Sequence, residues 1–164
     1  MKYVIATREI EPQPILSIRD RRPAPSLPQF LGQSFDALFS RLGLLGVEPA
    51  GPPFVIYHEF GPDDIDAEVC VPIATGVTAT GGIHDRVLPP ITVATTLHVG
   101  PYEELETAYG ALTTWIGENG FEAAGPLQER YLNGPGGPGV DVLPADYRTE
   151  VEIPIVPAAA AVPA

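Results

Sequence analysis

AEVCVPI at residues 67–73 and TEVEIPI at residues 149–155 are two nearly identical stretches of this sequence. Each alternates polar and apolar residues, which is typical of a half-buried β-strand. Each then reaches a proline, Pro72 or Pro154, that cannot donate a hydrogen bond to a sheet. We therefore expect each strand to lie at a sheet edge or to end there. The copies are 82 residues apart (149 − 67), about half of the 164-residue chain, and this spacing predicts two similar halves.

The likeness extends upstream of both strands. Gly51-Pro52 followed by Tyr57 is matched by Gly125-Pro126 followed by Tyr131. A repeat of this length is not a solenoid unit, so we predict one α+β domain over residues 1–157, with halves at about 2–75 and 82–157. Two halves of this kind bury a shared seam, where pockets tend to form. Farther upstream, apolar residues recur at helical spacing: Leu31, Phe35, Leu38 and Leu42 in one half, and Leu105, Tyr109, Leu112 and Ile116 in the other.

Each half is predicted to run strand, helix, strand, strand. Proline-bent strand pairs open both halves, and we expect an antiparallel sheet with both long helices on one side. The Gly/Pro-rich loop at 133–144 is predicted to be mobile and to border a pocket entrance, and residues 158–164 form a frayed tail. The predicted strands are 3–11, 15–19, 54–60, 65–73, 83–88, 91–99, 127–132 and 147–156; the helices are 29–44, ended by Gly43 and Gly46, and 101–117; a Pro/Arg-rich connection occupies 20–28.

Composition narrows the possible functions. The net charge of −12 argues against nucleic-acid binding, which depends on basic patches. The single cysteine, Cys70, excludes an intrachain disulfide framework. We find no membrane span and no signal-peptide core, so we expect a cytoplasmic protein with no membrane partner. The three histidines are spaced unlike metal ligands, and we predict no metal and no cofactor.

Four motifs, in this order, resemble those of the GyrI-like small-molecule-binding domain. They are HVGPY at 98–102, the helix end WIxxNG at 115–120, GPxxExY at 125–131 and TEVxIPI at 149–155. The resemblance covers about residues 2–157. It implies two strand–helix–strand–strand modules related by a pseudo-twofold axis, with a ligand cavity between them. Related domains bind effectors in multidrug-responsive MerR-type and AraC-type regulators. Because the chain has no room for a DNA-binding domain, it resembles the stand-alone members.

Glu129 is the main candidate for the site. In the strand 127–131, alternation places Leu127, Glu129 and Tyr131 on one face, and the apolar residues mark that face as the inner one. The residue that matches Glu129 in the first half is Val55. A buried carboxylate is costly unless it is paired, protonated or given a cationic ligand. Pairing with an Arg or a tyrosine hydroxyl is the structural alternative, whereas the resemblance implies that Glu129 is the cavity acid.

Aromatic residues are predicted to line the same cavity. Tyr57 and Tyr131 hold matching positions in the two halves, and Tyr147 begins the last strand beside the loop. Trp115 lies on the second helix, where filling the core is the alternative role. Such walls around an acid suit a lipophilic cation. The histidine of HVGPY, His98, is predicted to be structural; a haem site, known in SOUL-type proteins of this fold, would need a histidine in a large apolar pocket.

Three classes of function follow from these observations. The first is a binding protein for small amphipathic or cationic molecules. The second, implied by the resemblance, is a hydrolase of strained electrophilic (cyclopropanoid-type) natural products, in which Glu129 activates water and Tyr131 donates a proton. The third is a protein-interaction module, because the family takes its name from inhibition of DNA gyrase, although the acidic residues here are spread along the chain. We prefer them in this order.

Overall fold

The computed structural model describes residues 3–74, 77, 81–133 and 142–158. Strands and helices alternate along the chain as expected of an α+β domain. No helix in these residues is long and apolar enough to cross a membrane. The strands are β1 (Ile5–Ile10), β2 (Gln13–Pro23), β3 (Phe54–Phe60), β4 (Asp64–Pro72), β5 (His84–Leu88), β6 (Ile91–Val99), β7 (Phe121–Ala123), β8 (Leu127–Tyr131) and β9 (Arg148–Pro157); the helices are α1 (Leu27–Leu45) and α2 (Leu105–Glu118).

The strands form one antiparallel sheet in the order β1-β6-β9-β8-β3-β4-β2-β5, with β7 paired to the end of β9. This order is symmetric about the central β8–β3 pair, because β1, β6 and β9 occupy on one side the places of β5, β2 and β4 on the other. At the centre Val55 pairs directly with Glu129. These two residues are also the matching positions of the two halves, so the predicted pseudo-twofold axis would pass through this pair.

Both helices cover the same face of the sheet, as predicted. Val55, Glu129 and Val151 lie side by side on three neighbouring strands, so their side chains share one face. Val55 packs in a core cluster with Leu38 of α1, and Val151 packs in a second cluster with Leu112 of α2. We call this side the helix face and the opposite side the strand face. Glu129 therefore lies on the helix face, between the two helix-covered clusters.

β2 is longer than the sequence predicts, and β9 does not end at its proline. β2 continues through the expected connection at 20–28 as far as Pro23, where Arg19 and Arg21 form ion pairs with Asp66 and Asp64 of β4. The Pro/Arg composition resembles a linker, and only the acidic partners on the neighbouring strand make it a strand. β9 continues past Pro154. Its pairing with β8 ends at Glu152, so β8 does not need the N–H that Pro154 lacks. β4 ends at Pro72 as predicted.

Smaller differences concern a short strand and the chain ends. β7 was not predicted, since three residues carry too little pattern to be recognised. Gly46 ends α1 with φ of 66°, a left-handed conformation that glycine adopts at little cost, whereas Gly43 lies inside the helix. Ala158, in the predicted tail, donates its N–H to the carbonyl of Gly120. The rest of that tail and most of the loop at 133–144 fall outside the described residues, and the superposition of the two halves stays a prediction.

Candidate functional site

Glu129 points inward from the centre of the sheet, as strand alternation predicts. Its side chain is buried, with 5% of the residue exposed. The neighbours on its own strand face, Leu127 and Tyr131, pack against the core clusters under the helices. The carboxyl group is therefore held between α1 and α2, at the point where the two halves of the sheet meet.

Two tyrosine hydroxyls are the hydrogen-bond partners of this carboxyl group. Tyr131 donates to Oε1 at 2.7 Å, and Tyr57 approaches the same oxygen at 3.5 Å, which is the long limit for such a bond. In the described part of the chain, Oε2 accepts no hydrogen bond and no cationic side chain forms an ion pair with Glu129. The structural alternative is thus met by the tyrosines and not by an arginine, and one carboxylate oxygen is left for a ligand.

Burial shifts the proton equilibrium of this group. Desolvation raises the pKa of Glu129 to about 7, although the hydrogen bonds from Tyr131 and Tyr57 act in the opposite direction. Burial and the nearby carboxylate also raise the pKa of both tyrosines. Near neutral pH the site therefore holds the carboxylate and the carboxylic acid in comparable amounts, while the tyrosines remain proton donors.

Aromatic rings from both halves surround Tyr131. Phe35 of α1 meets its ring edge-on, with centroids 6.1 Å apart, and Tyr102, in the turn before α2, does so at 5.7 Å. Tyr102 in turn stacks on Tyr147 at 4.8 Å. Phe35 and Tyr102 were not among the predicted site residues; their signals were the apolar stripe of α1 and the HVGPY motif.

The five predicted site residues do not all meet. Tyr57 and Tyr131 reach Glu129 directly, and Tyr147 is connected to Tyr131 through Tyr102. Trp115 instead stacks on Phe121, with centroids 5.8 Å apart. It lies thirteen residues beyond Tyr102, which is about 20 Å along a helix. Its role in ligand binding stays a prediction, and the observed contact is the core packing that was its alternative.

A cavity of about 630 Å³ opens beside the site, between the second half of α1 and the segment before β3. Its volume is in the range of small-molecule sites. Tyr131 lines this cavity, Glu129 does not, and the Tyr131 hydroxyl that donates to Glu129 connects the two. Leu132 and Asn133, at the start of the predicted loop, also line it. The other lining residues include Phe35, Phe39, Leu42, Val47 and Glu48.

Thr149 is a polar group near the site that sequence reasoning did not identify. It pairs across the strands with Tyr131 on one side and His98 on the other, and it is fully buried. Within the described part of the chain its hydroxyl has no hydrogen-bond partner, although buried polar groups normally have one. Diagonal neighbours on adjacent strands lie about 7 Å apart, and Thr149 is the diagonal neighbour of Glu129. A ligand anchored on the acid can therefore also bond this hydroxyl.

The histidine of the HVGPY motif is engaged by the protein. Nδ1 of His98 lies 2.8 Å from the Tyr3 hydroxyl, and Nε2 lies 3.2 Å from the carbonyl of Pro101. Both ring nitrogens therefore have protein partners, which favours the structural role over binding an iron. Within the described ranges, no three His, Cys, Asp or Glu side chains converge as a metal site requires.

Among the solved structures that resemble this chain are those of three proteins. EcmrR in its DNA complex is 26% identical with a TM-score of 0.80, and the match covers 93% of this chain and 57% of EcmrR. The C-terminal domain of EcmrR alone is 26% identical with a TM-score of 0.75, and the match covers 96% of this chain and 100% of that domain. A hydrolase from Listeria innocua has 13% identity, a TM-score of 0.70 and coverage of 93% and 91%. SAV2435 bound to tetraphenylphosphonium is 12% identical with a TM-score of 0.59, and the match covers 95% of this chain and 94% of SAV2435.

These likenesses differ in what they show. This chain spans little more than half the length of EcmrR, and at 12–13% identity the other two relatives show the fold alone. Among proteins with curated functions, none matches this chain. Residues 4–156 match the GyrI-like small molecule binding domain, which is nearly the whole sequence. The chain therefore belongs to the GyrI-like small-molecule-binding domain family.

Proposed function

We propose that this chain binds amphipathic organic cations at Glu129, in the cavity between its two halves. The observation that carries the proposal is a carboxyl group that is 5% exposed and, among the residues that the structure describes, has only tyrosine partners, both on the same oxygen. A buried negative charge of this kind is costly, and a ligand that brings a positive charge offsets that cost. The aromatic rings of Tyr131, Tyr102 and Phe35 would contact the apolar part of the ligand.

The experiment compares a cation with a neutral molecule of similar shape. Tetraphenylphosphonium, with which SAV2435 was solved, is the cation, and triphenylphosphine oxide is the neutral probe. Replacing the acid in Glu129→Gln should weaken binding of the cation by about 1–3 kcal/mol, because the attraction between two opposite charges several ångströms apart is lost from a site that is largely shielded from water. The neutral probe should bind the variant as it binds the wild type. Isothermal titration calorimetry measures both.

A second acid provides the matched control. Glu48 lines the 630 Å³ cavity and is solvent-exposed, so Glu48→Gln should change the affinity for the cation little. If Glu48→Gln weakens the cation and Glu129→Gln does not, the anchor is the outer acid and the proposal is wrong. Equal losses for cation and neutral probe in Glu129→Gln would show a change of shape rather than loss of a charge partner.

Hydrolysis is the second candidate, and one contact favours it. A carboxyl group with a pKa of about 7, hydrogen-bonded at 2.7 Å to a tyrosine hydroxyl, pairs a general base with a proton donor. In this role Glu129 would take a proton from water as the water oxygen bonds to the electrophilic carbon, the strained ring bond breaks, and Tyr131 protonates the atom that is released. The proton on Glu129 would then return to the Tyr131 oxygen along their 2.7 Å hydrogen bond. Glu129→Gln would then abolish turnover of a strained-ring electrophile while binding of the substrate is retained. Retained turnover in Glu129→Gln would exclude this role.

A further inference from the structure

A second pocket, of about 410 Å³, lies on the strand face, on the other side of the sheet from Glu129. Its floor is formed by the two central strands, through Phe54 of β3 and Gln128 and Arg130 of β8. Its walls are the two proline-bent turns, residues 10–13 between β1 and β2 and residues 88–91 between β5 and β6. The bent strand pairs that stand out in the sequence thus enclose a cavity at the centre of the molecule.

Gln128 is the first sign that this pocket is a site. The residue is 5% exposed, and within the described residues its amide makes no hydrogen bond. Neither amide atom is among the fully buried polar atoms without a partner, so the two N–H donors and the acceptor oxygen are reached from the pocket rather than sealed in the core. The amide lines the pocket, so a ligand there would supply the missing hydrogen bonds.

Arg130 provides further free donors beside this amide. Its guanidinium lies over the ring of Phe54, with Cζ 4.3 Å from the ring centroid. Among the described residues only its Nε–H is bonded, to Glu152 at 3.1 Å, whereas a guanidinium carries five N–H donors. Glu152 is fully buried and also pairs with Arg8 at the pocket rim. The ion pair fixes the orientation of Arg130 and leaves its outer edge available to a ligand.

The charges around the pocket disfavour an anion. Arg8 and Arg130 are neutralised by the pairs with Glu150 and Glu152. Two further acids in the lining, at positions 9 and 11, are solvent-exposed and unopposed. A negative ligand would be repelled at this rim, whereas a neutral ligand with an acceptor oxygen would satisfy the donors. The apolar side of such a ligand would lie on the hydrophobic walls, which include Ile10, Leu88 and Ile91.

We propose that this strand-face pocket binds a flat, uncharged amphipathic molecule through a carbonyl oxygen of the amide or lactam type. The oxygen accepts from the side-chain amide of Gln128 and from the guanidinium edge of Arg130, and an N–H of the ligand can donate to the Gln128 oxygen. This site does not depend on Glu129. The molecule would then carry two binding sites back to back on its central strands, one for a cation and one for a neutral compound.

The test uses three probes of nearly equal size: benzamide, benzoate and benzylammonium. Titrations followed in ¹H–¹⁵N spectra should show benzamide shifting the Gln128 side-chain NH₂ signals, with benzoate and benzylammonium binding at least tenfold more weakly. Gln128→Leu should reduce the benzamide affinity at least tenfold with no loss of thermal stability, because no protein hydrogen bond is removed. Gln33→Leu, on the exposed side of α1, is the surface control, and Glu129→Gln should bind benzamide as the wild type does.

Three results would overturn the proposal. Tightest binding by benzoate would make the pocket an anion site. Tightest binding by benzylammonium would show that the acidic rim makes it a cation site. Absence of any shift at Gln128 with all three probes would show that the pocket takes no such ligand. Because the wild-type protein alone answers these points, the proposal can be rejected even if Gln128→Leu fails to fold.

Discussion

The two faces of the sheet both bury a carboxylate, and they treat it differently. On the helix face Glu129 has only tyrosine partners. On the strand face Glu68 is 2% exposed and accepts hydrogen bonds from Arg86 at 2.5 and 3.0 Å and from Ser17 at 2.7 Å, with His58 at 2.9 Å. Both residues expose little surface, and the clearest difference between the two acids lies in their partners.

The proton equilibria follow these partners. Burial raises the pKa of Glu68, but the hydrogen bonds from Arg86, Ser17 and His58 outweigh burial and bring it to about 2. Burial prevails at Glu129, where the pKa is about 7. An acid that the protein has already paired stabilises the fold, whereas an acid without a cationic partner can still gain from a ligand. This comparison distinguishes a structural carboxylate from a candidate site.

Removing each charge should give the largest contrast. Glu68→Gln should lower the free energy of unfolding by about 2–4 kcal/mol, because it leaves the charge of Arg86 without its partner; the side chain of Arg86 is 40% exposed, so water compensates part of the loss. Glu129→Gln should leave this free energy unchanged or raise it. Urea unfolding at pH 7.5 measures both. Equal destabilisation by the two variants would contradict the distinction.

The pH dependence should also differ in sign. The pKa of Glu129 is raised in the folded state, so between about pH 4.5 and 7 the folded protein holds a proton that the unfolded chain has released. Its contribution to the free energy of unfolding therefore falls by about 3 kcal/mol as the pH rises through this window. The contribution of Glu68, whose pKa is lowered, is present above pH 4.5 and is lost as the pH falls toward 2.

Unfolding of wild type and Glu129→Gln at pH 5 and pH 8 isolates the first effect. The wild type should lose more stability than the variant between these two values, since the variant has no proton to release at this position. The same carboxylate must be ionised to bind a cation, so the affinity for tetraphenylphosphonium should rise with pH up to about 7 in the wild type only. Parallel pH profiles for the two proteins would mean that Glu129 does not titrate in this range.

Tyr131→Phe tests the hydrogen-bond donor of Glu129. The change removes the 2.7 Å hydrogen bond to Glu129 and should raise the pKa of that acid further, because a bond to its charged form is lost. The free energy of unfolding at pH 8 should fall by about 1–2 kcal/mol. At pH 5, where the acid is protonated, the loss should be smaller. A loss that is equal at both pH values would indicate that the hydroxyl serves packing alone.

The sequence predicts the architecture well where the pattern is long. The two alternating strands, the helix stripes and the 74-residue offset of Tyr57 and Tyr131 predict the antiparallel sheet and helices on one side. Strand alternation also places Glu129 on the inner face, because successive side chains of a strand point to opposite faces with a period of two residues. The pairing of Glu129 with Val55 at the symmetry axis goes beyond that pattern, since it depends on the register between the halves.

The sequence misses features that depend on contacts between distant segments. Ion pairs with Asp64 and Asp66 extend β2 through residues that resemble a linker. Trp115, near the end of α2, stacks on Phe121 of the next strand, a contact that residue type alone does not predict, and its role in ligand binding stays a prediction. The arginines that hold Glu68 and Glu152 come from strands far along the chain, so no local pattern could show that these acids are paired.

The smallest effect applies the same comparison to two buried threonines on the helix face. Thr96 donates its hydroxyl to the carbonyl of Val4 at 2.8 Å, whereas the hydroxyl of Thr149 has no partner. Valine has nearly the same shape, so Thr96→Val should lower the free energy of unfolding by about 1 kcal/mol, while Thr149→Val should leave it unchanged or raise it. Chemical denaturation measures both. A loss in Thr149→Val as large as that in Thr96→Val would show that its hydroxyl is already satisfied, and Thr149 would then no longer be a candidate contact for a ligand.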